Sequence, residues 1–223
     1  MASAPHQLIV ITGGPGAGKT TLVELLRENG FAGAPEAGRA IIQDQSAIGG
    51  MGLPWSDTAL FAELMLSWDI RSYRWALAQP GPVFFDHAVP CVAGYFRLLG
   101  LDVPAHVEAA VAAFPYRPQV FIAPPWPEIY RTDDERHQSL DEAERTYEAM
   151  AETYAQYGYD LVELPRADPR TRMRFVLEQA TPSAAGAEPS AVRGWAEGEE
   201  VPESAAGVVG VVPAHESSDR RDG

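Results

Sequence analysis

Between Gly13 and Thr20 the chain reads Gly-Gly-Pro-Gly-Ala-Gly-Lys-Thr, which fits the spacing G-x-x-x-x-G-K-[ST]. Each residue type there has a chemical use. The glycines let successive backbone N–H groups turn inward as a nest for an anion. A helix opening at Lys19 would aim the positive end of its dipole at the same point. The Lys19 ammonium would reach the β- and γ-phosphates of a nucleoside triphosphate, and the Thr20 hydroxyl would coordinate its Mg²⁺. The expected ATP-binding set is Gly13, Gly14, Pro15, Gly16, Ala17, Gly18, Lys19, Thr20 and Thr21. Composition supports this use of the lysine. Of 17 basic residues, 16 are arginine, and the single lysine is Lys19. A compact ammonium on a flexible stem fits between phosphate oxygens where a planar guanidinium would not.

A second acid belongs to the same chemistry. Val83-Phe84-Phe85-Asp86 is an apolar run ending on aspartate. Beside a phosphate loop, Asp86 would bind Mg²⁺ or take the proton of an attacking hydroxyl, and the residues alone do not separate these roles. Capping of the next helix is the plainer use of such an aspartate. Further on, Arg131 and Arg136 stand in a polar segment where they could fold over the triphosphate and stabilise the departing γ-phosphoryl group. An Arg131–Glu135 ion pair on a solvated helix face is the alternative. Candidates for holding a phosphoryl acceptor are Glu36, Arg39, Trp55, Arg71 and Arg74, with Trp68 and Trp75 read as packing residues.

The elements that must position these groups alternate. Residues 7–12 read as a buried parallel strand, followed by the loop and a helix from Lys19 to about Asn29, with Gly30 closing it. Phe31–Pro35 reads as a strand, Glu36 to Ala47 as a helix, and Ser56 as the N-cap of a long helix to Ala78. Val83–Asp86 is a third strand. Helices follow over 92–99 and 104–113, then a strand over Gln119–Ala123. Ser139-Leu-Asp-Glu142 is a capping box opening a helix to about Tyr157. A strand over Leu161–Leu164 and a helix from Asp168 or Pro169 to Gln179 complete the pattern. This predicts an α/β domain over residues 1–180, a five-stranded parallel sheet with helices on both faces. Residues 181–223 turn rich in Ala, Ser, Glu, Gly and Pro and read as a disordered acidic tail.

Composition narrows the partners. The chain has 223 residues, 46% of them hydrophobic, and a formal charge of −14. Such a charge with no basic run argues against a general nucleic-acid binder. No apolar stretch is long enough to span a membrane, and Met1–Gln7 does not read as a secretion signal. Cys91 is the sole cysteine, so neither an intrachain disulfide nor a cysteine-rich zinc site is expected. A cytoplasmic monomer or homodimer is the expectation.

Ile11-Thr-Gly-Gly-Pro-Gly-Ala-Gly-Lys-Thr-Thr21 resembles the opening of a bacterial family of P-loop ATPases and kinases grouped as an AAA domain, itself similar to nicotinamide riboside kinases and other small-molecule kinases. Further matches are Pro35-Glu36-Ala37-x-Arg39, Val83–Asp86, Ala93-Gly94-Tyr95 through Leu99-Gly100, Pro124-Pro125-Trp126 with Ile129-Tyr130-Arg131 and Glu135-Arg136, and Tyr159 to Pro165. The resemblance covers residues 7–179. It implies a kinase-like P-loop fold, Arg131 and Arg136 in a lid over the nucleotide, and Pro165 and Arg166 near the adenine. One departure stands out. Relatives carry Asp-Arg-Gly where this chain has Asp86-His87-Ala88. His87 could replace the arginine when protonated, mark a different acceptor, accompany lost turnover, or serve structure alone.

Three functions compete. The first is an ATP-dependent kinase acting on a small molecule, with Asp86 as base or metal ligand. The second is an ATPase switch read by a protein partner. The third is a nucleotide-binding module without turnover. A GTPase is disfavoured, because its guanine motif needs a lysine other than Lys19.

Overall fold

The run Leu8–Gly13 (β1) sends alternate side chains to opposite faces of a sheet, and all six residues are buried. That explains its near-continuous apolar sequence, which a strand covered on both faces requires. The computed structural model describes residues 7–129 and 139–180. Contacts group the chain into Met1–Arg193 and Gly194–Gly223, and every described residue belongs to the first unit. Arg131, Arg136 and the tail expected over 181–223 lie outside the described residues.

β1 pairs in parallel with β3 (Val83–Phe85) on one side and β4 (Gln119–Ala123) on the other. β2 (Ala32–Ala34) flanks β3, and β5 (Asp160–Glu163) flanks β4, giving the order β2-β3-β1-β4-β5. The chain therefore moves to one side of β1 for two strands and to the other side for the next two. The crevice for a ligand falls at the carboxyl end of the central strand, where that reversal occurs.

Helices cover both faces, as the alternation predicts. α1 (Lys19–Glu28) and α7 (Pro169–Ala180) pack on Ile9, Ile11, Phe84 and Phe121. The opposite core joins Leu8, Val10, Val83 and Phe85 to α2 (Ala37–Ile48), α3 (Thr58–Leu77), α4 (Val89–Leu98), α5 (Ala105–Ala113) and α6 (Leu140–Gln156). Each fully buried phenylalanine among these contributes about 1.5–3 kcal/mol of transfer free energy. Trp68 and Trp75 pack against this core, as expected of them.

Local chemistry explains the boundaries. The Ser139–Glu142 capping box forms in full, with Glu142 N donating to Ser139 Oγ at 3.2 Å and Ser139 N to Glu142 Oε2 at 2.6 Å. Gly30, at φ 86°, follows α1 and its C-cap, Asn29. The N-cap of α3 is a correction: Asp57 caps the helix, its carboxylate accepting from Leu60 N at 2.9 Å. Ser56 is instead held in the preceding turn, its N–H donating to Leu53 O at 3.0 Å. α4 opens at Val89, ahead of the expected residue 92. Pro90 sits in its first turn, where a missing N–H removes no helical bond.

Candidate functional site

Where β1 ends, the backbone runs too close to its neighbours for any side chain. A Cβ on Gly13 would meet the carbonyl oxygen of Ala123 on β4, and one on Gly14 that of Ala143 on α6. Gly16 and Gly18 take the left-handed conformation, at φ 72° and 80°. Gly18 is the N-cap of α1 and makes no side-chain capping bond. The first N–H groups of α1 are thus left for an anion. Lys19 folds back over the loop, its Nζ donating to Gly14 O at 2.8 Å.

Thr20 and Asp86 meet beside the loop. β3 pairs with β1 with Phe85 opposite Val10, so Asp86, one residue on, follows the strand toward the end from which the loop leaves. Thr20 Oγ1 donates to Asp86 Oδ2 at 2.6 Å, and Glu36 Oε2 lies 3.4 Å from the same hydroxyl. Asp86 is 3% exposed, and its Oδ1 is buried with no hydrogen-bond partner. Burial raises its pKa, and the nearby Glu36 carboxylate adds to the rise. Lys19, the Thr20 bond and His87 oppose it without cancelling it.

An orphaned carboxylate oxygen beside a hydroxyl is a hard oxygen donor set of the kind Mg²⁺ takes. The residues present therefore fit a phosphate-bound Mg²⁺ held by Thr20 and Asp86. Among the described residues no cluster of three His, Cys, Asp or Glu side chains could hold a metal by itself.

Two cavities flank Lys19, which lines both. The first, about 430 Å³, has Asp86, Glu36, Arg39 and His87 among its polar lining residues. Ile42, Trp55, Phe61, Met65, Tyr95 and Met150 supply its apolar wall, and α6 adds Glu142 and Thr146. The structure thus brings together the sequence candidates Glu36, Arg39, Trp55, Asp86 and His87. It does not bring Arg71 and Arg74 with them: both are exposed and line neither cavity, and Arg74 lies over the Phe114 ring at 5.8 Å. Their shared helix face, read correctly from their spacing, points elsewhere.

His87 is held from behind. Its Nδ1 lies 2.8 Å from Oδ2 of Asp69, a carboxylate 2% exposed on α3, while the ring is 19% exposed and faces the cavity. Burial acts against charge on the ring, but Asp69, by attraction and by the hydrogen bond, outweighs it. Glu36 adds to the effect, and the pKa is raised to about 10. Beneath the cavity, Cys91 is buried between Thr12 Oγ1 at 3.6 Å and Tyr154 OH at 3.1 Å.

The second cavity, about 410 Å³, lies against Gly16, Gly18 and Thr20–Thr21 on one side and Ala167–Pro169 on the other. Trp126, Ile129 and Arg172 complete it. Sequence reading missed Arg172. It donates from Nε to Pro165 O at 2.8 Å and from Nη1 to Ala17 O at 2.6 Å, with its guanidinium 4.7 Å from the Trp126 ring centroid. A signal was present: Arg172, Val176 and Ala180 share the buried stripe of α7, so an arginine occupies a core position.

The family model described as "AAA domain" matches residues 8–172. The chain belongs to that family. No curated protein matches it. Among solved structures, the family fold is shared with the NadR protein in complex with NR, at TM-score 0.58 and 18% identity over 82% of this chain and 52% of that one. This chain spans about half the length of that NadR chain. Deoxyadenosine kinase from M. mycoides aligns at TM-score 0.55 and 15% identity, over 77% of this chain and 97% of the kinase. Thymidylate kinase from Ehrlichia chaffeensis aligns at TM-score 0.51 and 15% identity, over 78% and 99%. At these identities the likeness is one of fold, that of small-molecule P-loop kinases. No helix among the described residues is long and apolar enough to cross a membrane.

Proposed function

We propose that this protein transfers the γ-phosphoryl group of Mg²⁺-bound ATP to a small-molecule acceptor seated in the cavity between Glu36 and His87, and that it does so in the cytoplasm, as a monomer or homodimer. One observation carries the reading: the cavity that opens on Lys19 and Asp86, about 430 Å³, is large enough for a small molecule and joins Glu36, Arg39 and His87 to an apolar lining of Ile42, Trp55, Phe61, Met65 and Met150. A plain ATPase needs room there for a water molecule alone.

In this reading the loop N–H groups and Lys19 hold the β- and γ-phosphates. Asp86, bonded to Thr20, serves the metal side. Bound there, Mg²⁺ would neutralise charge as the phosphoryl group leaves. Glu36 orients the acceptor hydroxyl and accepts its proton. Arg39 and His87 bind polar groups of the acceptor or of the phosphoryl group, His87 as the cation that Asp69 maintains in place of the family's arginine. Arg131 and Arg136 remain proposed lid residues, from the resemblance.

The test is ATP consumption by the purified protein with Mg²⁺ against a panel of nucleosides, amino acids, sugars and antibiotics, with Lys19→Ala as control. Stimulation by one compound, absent in the variant, establishes a kinase and names its acceptor. ATP binding with no compound raising turnover above the variant would hand the lead to a switch that acts through a protein partner.

A further inference from the structure

We propose that Arg172 supplies the counter-charge for the α-phosphate of the bound nucleotide, from the cavity on the far side of Lys19. The inference rests on the ATP reading above but not on phosphoryl transfer. Arg172 is 2% exposed, and its Nη2 is buried with no hydrogen-bond partner. No carboxylate among the described residues pairs with it, and burial lowers its pKa with no opposing partner. A guanidinium withdrawn from water and left without an anion is costly. Its Nε and Nη1 donate to the carbonyls of Pro165 and Ala17, so the fork has little freedom to turn away.

A second observation points to the same ligand. The cavity that Arg172 lines also holds the start of α1, Lys19 to Thr21, which no side chain caps. Uncapped helical N–H groups attract an anion, and loops of this spacing cradle the α- and β-phosphates. A Cβ on Gly18 would lie 3.3 Å from Arg172 Nη1, so the guanidinium stands directly against the helix start. Lys19 lines both cavities. With Asp86 marking the γ-phosphate end in one, the α-phosphate falls in the other, which the Arg172 side chain lines. The bond to Ala17 O gives Arg172 a positioning role as well, since it ties the side chain to the loop backbone.

The experiment measures dissociation constants of ADP, adenosine and inorganic pyrophosphate for the full chain, by competition against a fluorescent ADP analogue. Arg172→Met keeps the apolar stem and removes the fork; Arg172→Lys keeps the charge. The expected result for Arg172→Met is a loss of about tenfold or more in ADP affinity. Adenosine and pyrophosphate, which lack an α-phosphate joined to both parts, stay within about twofold. Arg172→Lys should fall between, and it carries the test alone if the Met variant does not fold by circular dichroism. Equal loss of pyrophosphate would show that Arg172 acts only through the loop, and equal loss of adenosine that it meets the base. Either result, or unchanged ADP affinity, overturns the proposal. A protein that binds ADP in this way yet phosphorylates nothing keeps this inference and loses the kinase reading. Wild-type protein that binds no ADP loses both.

Discussion

The two cavities beside Lys19 are of similar volume, yet their charges are arranged in opposite ways. On the acceptor side, acids and cations are interleaved: Glu36 and Asp86 face Lys19, Arg39 and His87, and the His87 charge is matched by a buried carboxylate. On the far side Asp168 also lines the cavity, but its oxygens accept from Arg170 N, Thr171 N and Thr171 Oγ1, and the buried Arg172 guanidinium has no carboxylate partner among the described residues. A site with internal pairs can rest in its charged form while empty. A site with an unmatched cation is complete only when an anion arrives. Under the proposed function, this difference assigns discrimination and proton movement to the acceptor side, and the holding of a fixed anionic part of the nucleotide to the far side.

The largest effect is expected where the two sides meet. Asp86→Asn keeps the side chain's shape and removes the charge that faces Thr20. Turnover with Mg²⁺ and the best acceptor should fall by about 10²-fold or more, the range for losing one charge-stabilising group. ADP affinity without Mg²⁺ should hold or improve, because a negative charge near the phosphates is gone. If Asp86→Asn instead weakens metal-free ADP binding as Arg172→Met does, the division between the two sides fails.

The His87–Asp69 pair gives the next test, on stability. The folded-state pKa of His87 is about 10, above the 6.5 of an unfolded histidine. The folded protein therefore binds more protons than the unfolded chain between those values. The stabilisation from this pair is fully present below about pH 6.5 and is lost as pH rises through about 10. Urea denaturation of metal-free protein at a series of pH values should show wild-type stability falling across that window. In Asp69→Asn the fall should flatten, with a lower plateau at acid pH by about 1.5–3 kcal/mol, as for a lost hydrogen bond to a charged group. A variant with the wild-type slope would remove Asp69 as the cause. His87→Arg should keep a cation at the position at every pH tested, which separates charge from the histidine ring.

How much of this was legible beforehand varies with the length of the pattern that carried it. The phosphate loop was plain because its chemistry is local: glycines, lysine and threonine act within one turn of chain. The sheet was legible for a related reason, since alternating apolar runs and helical stretches leave few packings. Asp86 was found as the end of a strand, but its contact with Thr20, at 2.6 Å, is visible only in the structure. Asp69 and Arg172 were not found. Each is a charge on a buried helix face, and its use depends on a partner far along the chain, His87 in one case and Ala17 in the other. Arg71 and Arg74 failed for the converse reason: spacing places them on one face but does not say what that face meets.

Trp55 offers a smaller effect with a sharper direction. It is 65% exposed and lines the acceptor cavity. An apolar surface of that size on a loop has little to gain from the fold itself. Trp55→Ala should therefore leave unfolding free energy within about 0.5 kcal/mol of wild type. It should raise KM for the acceptor several-fold and leave KM for ATP unchanged. A rise in the ATP value instead would place the nucleotide, not the acceptor, against Trp55, and reverse the assignment of the two cavities.

The smallest effect tests whether the acceptor side depends on the start of α6. Ser139 caps that helix, and Glu142, its partner in the capping box, lines the acceptor cavity. The Glu142 carboxylate is held below its usual pKa by the Ser139 backbone N–H and hydroxyl, so it stays charged at neutral pH. Ser139→Ala removes the hydroxyl and should cost about 1 kcal/mol of stability. The backbone N–H of Ser139 remains to hold Glu142, so acceptor KM should change by less than twofold to threefold, about half a kcal/mol. Glu142→Gln loses the charge while keeping the bond geometry. If Glu142 does no more than cap the helix, both variants should melt lower by similar amounts and turn over alike. A change in acceptor KM confined to Glu142→Gln would instead extend the paired-charge arrangement of the acceptor side onto α6, while ADP affinity, set on the far side of Lys19, should be the same in both.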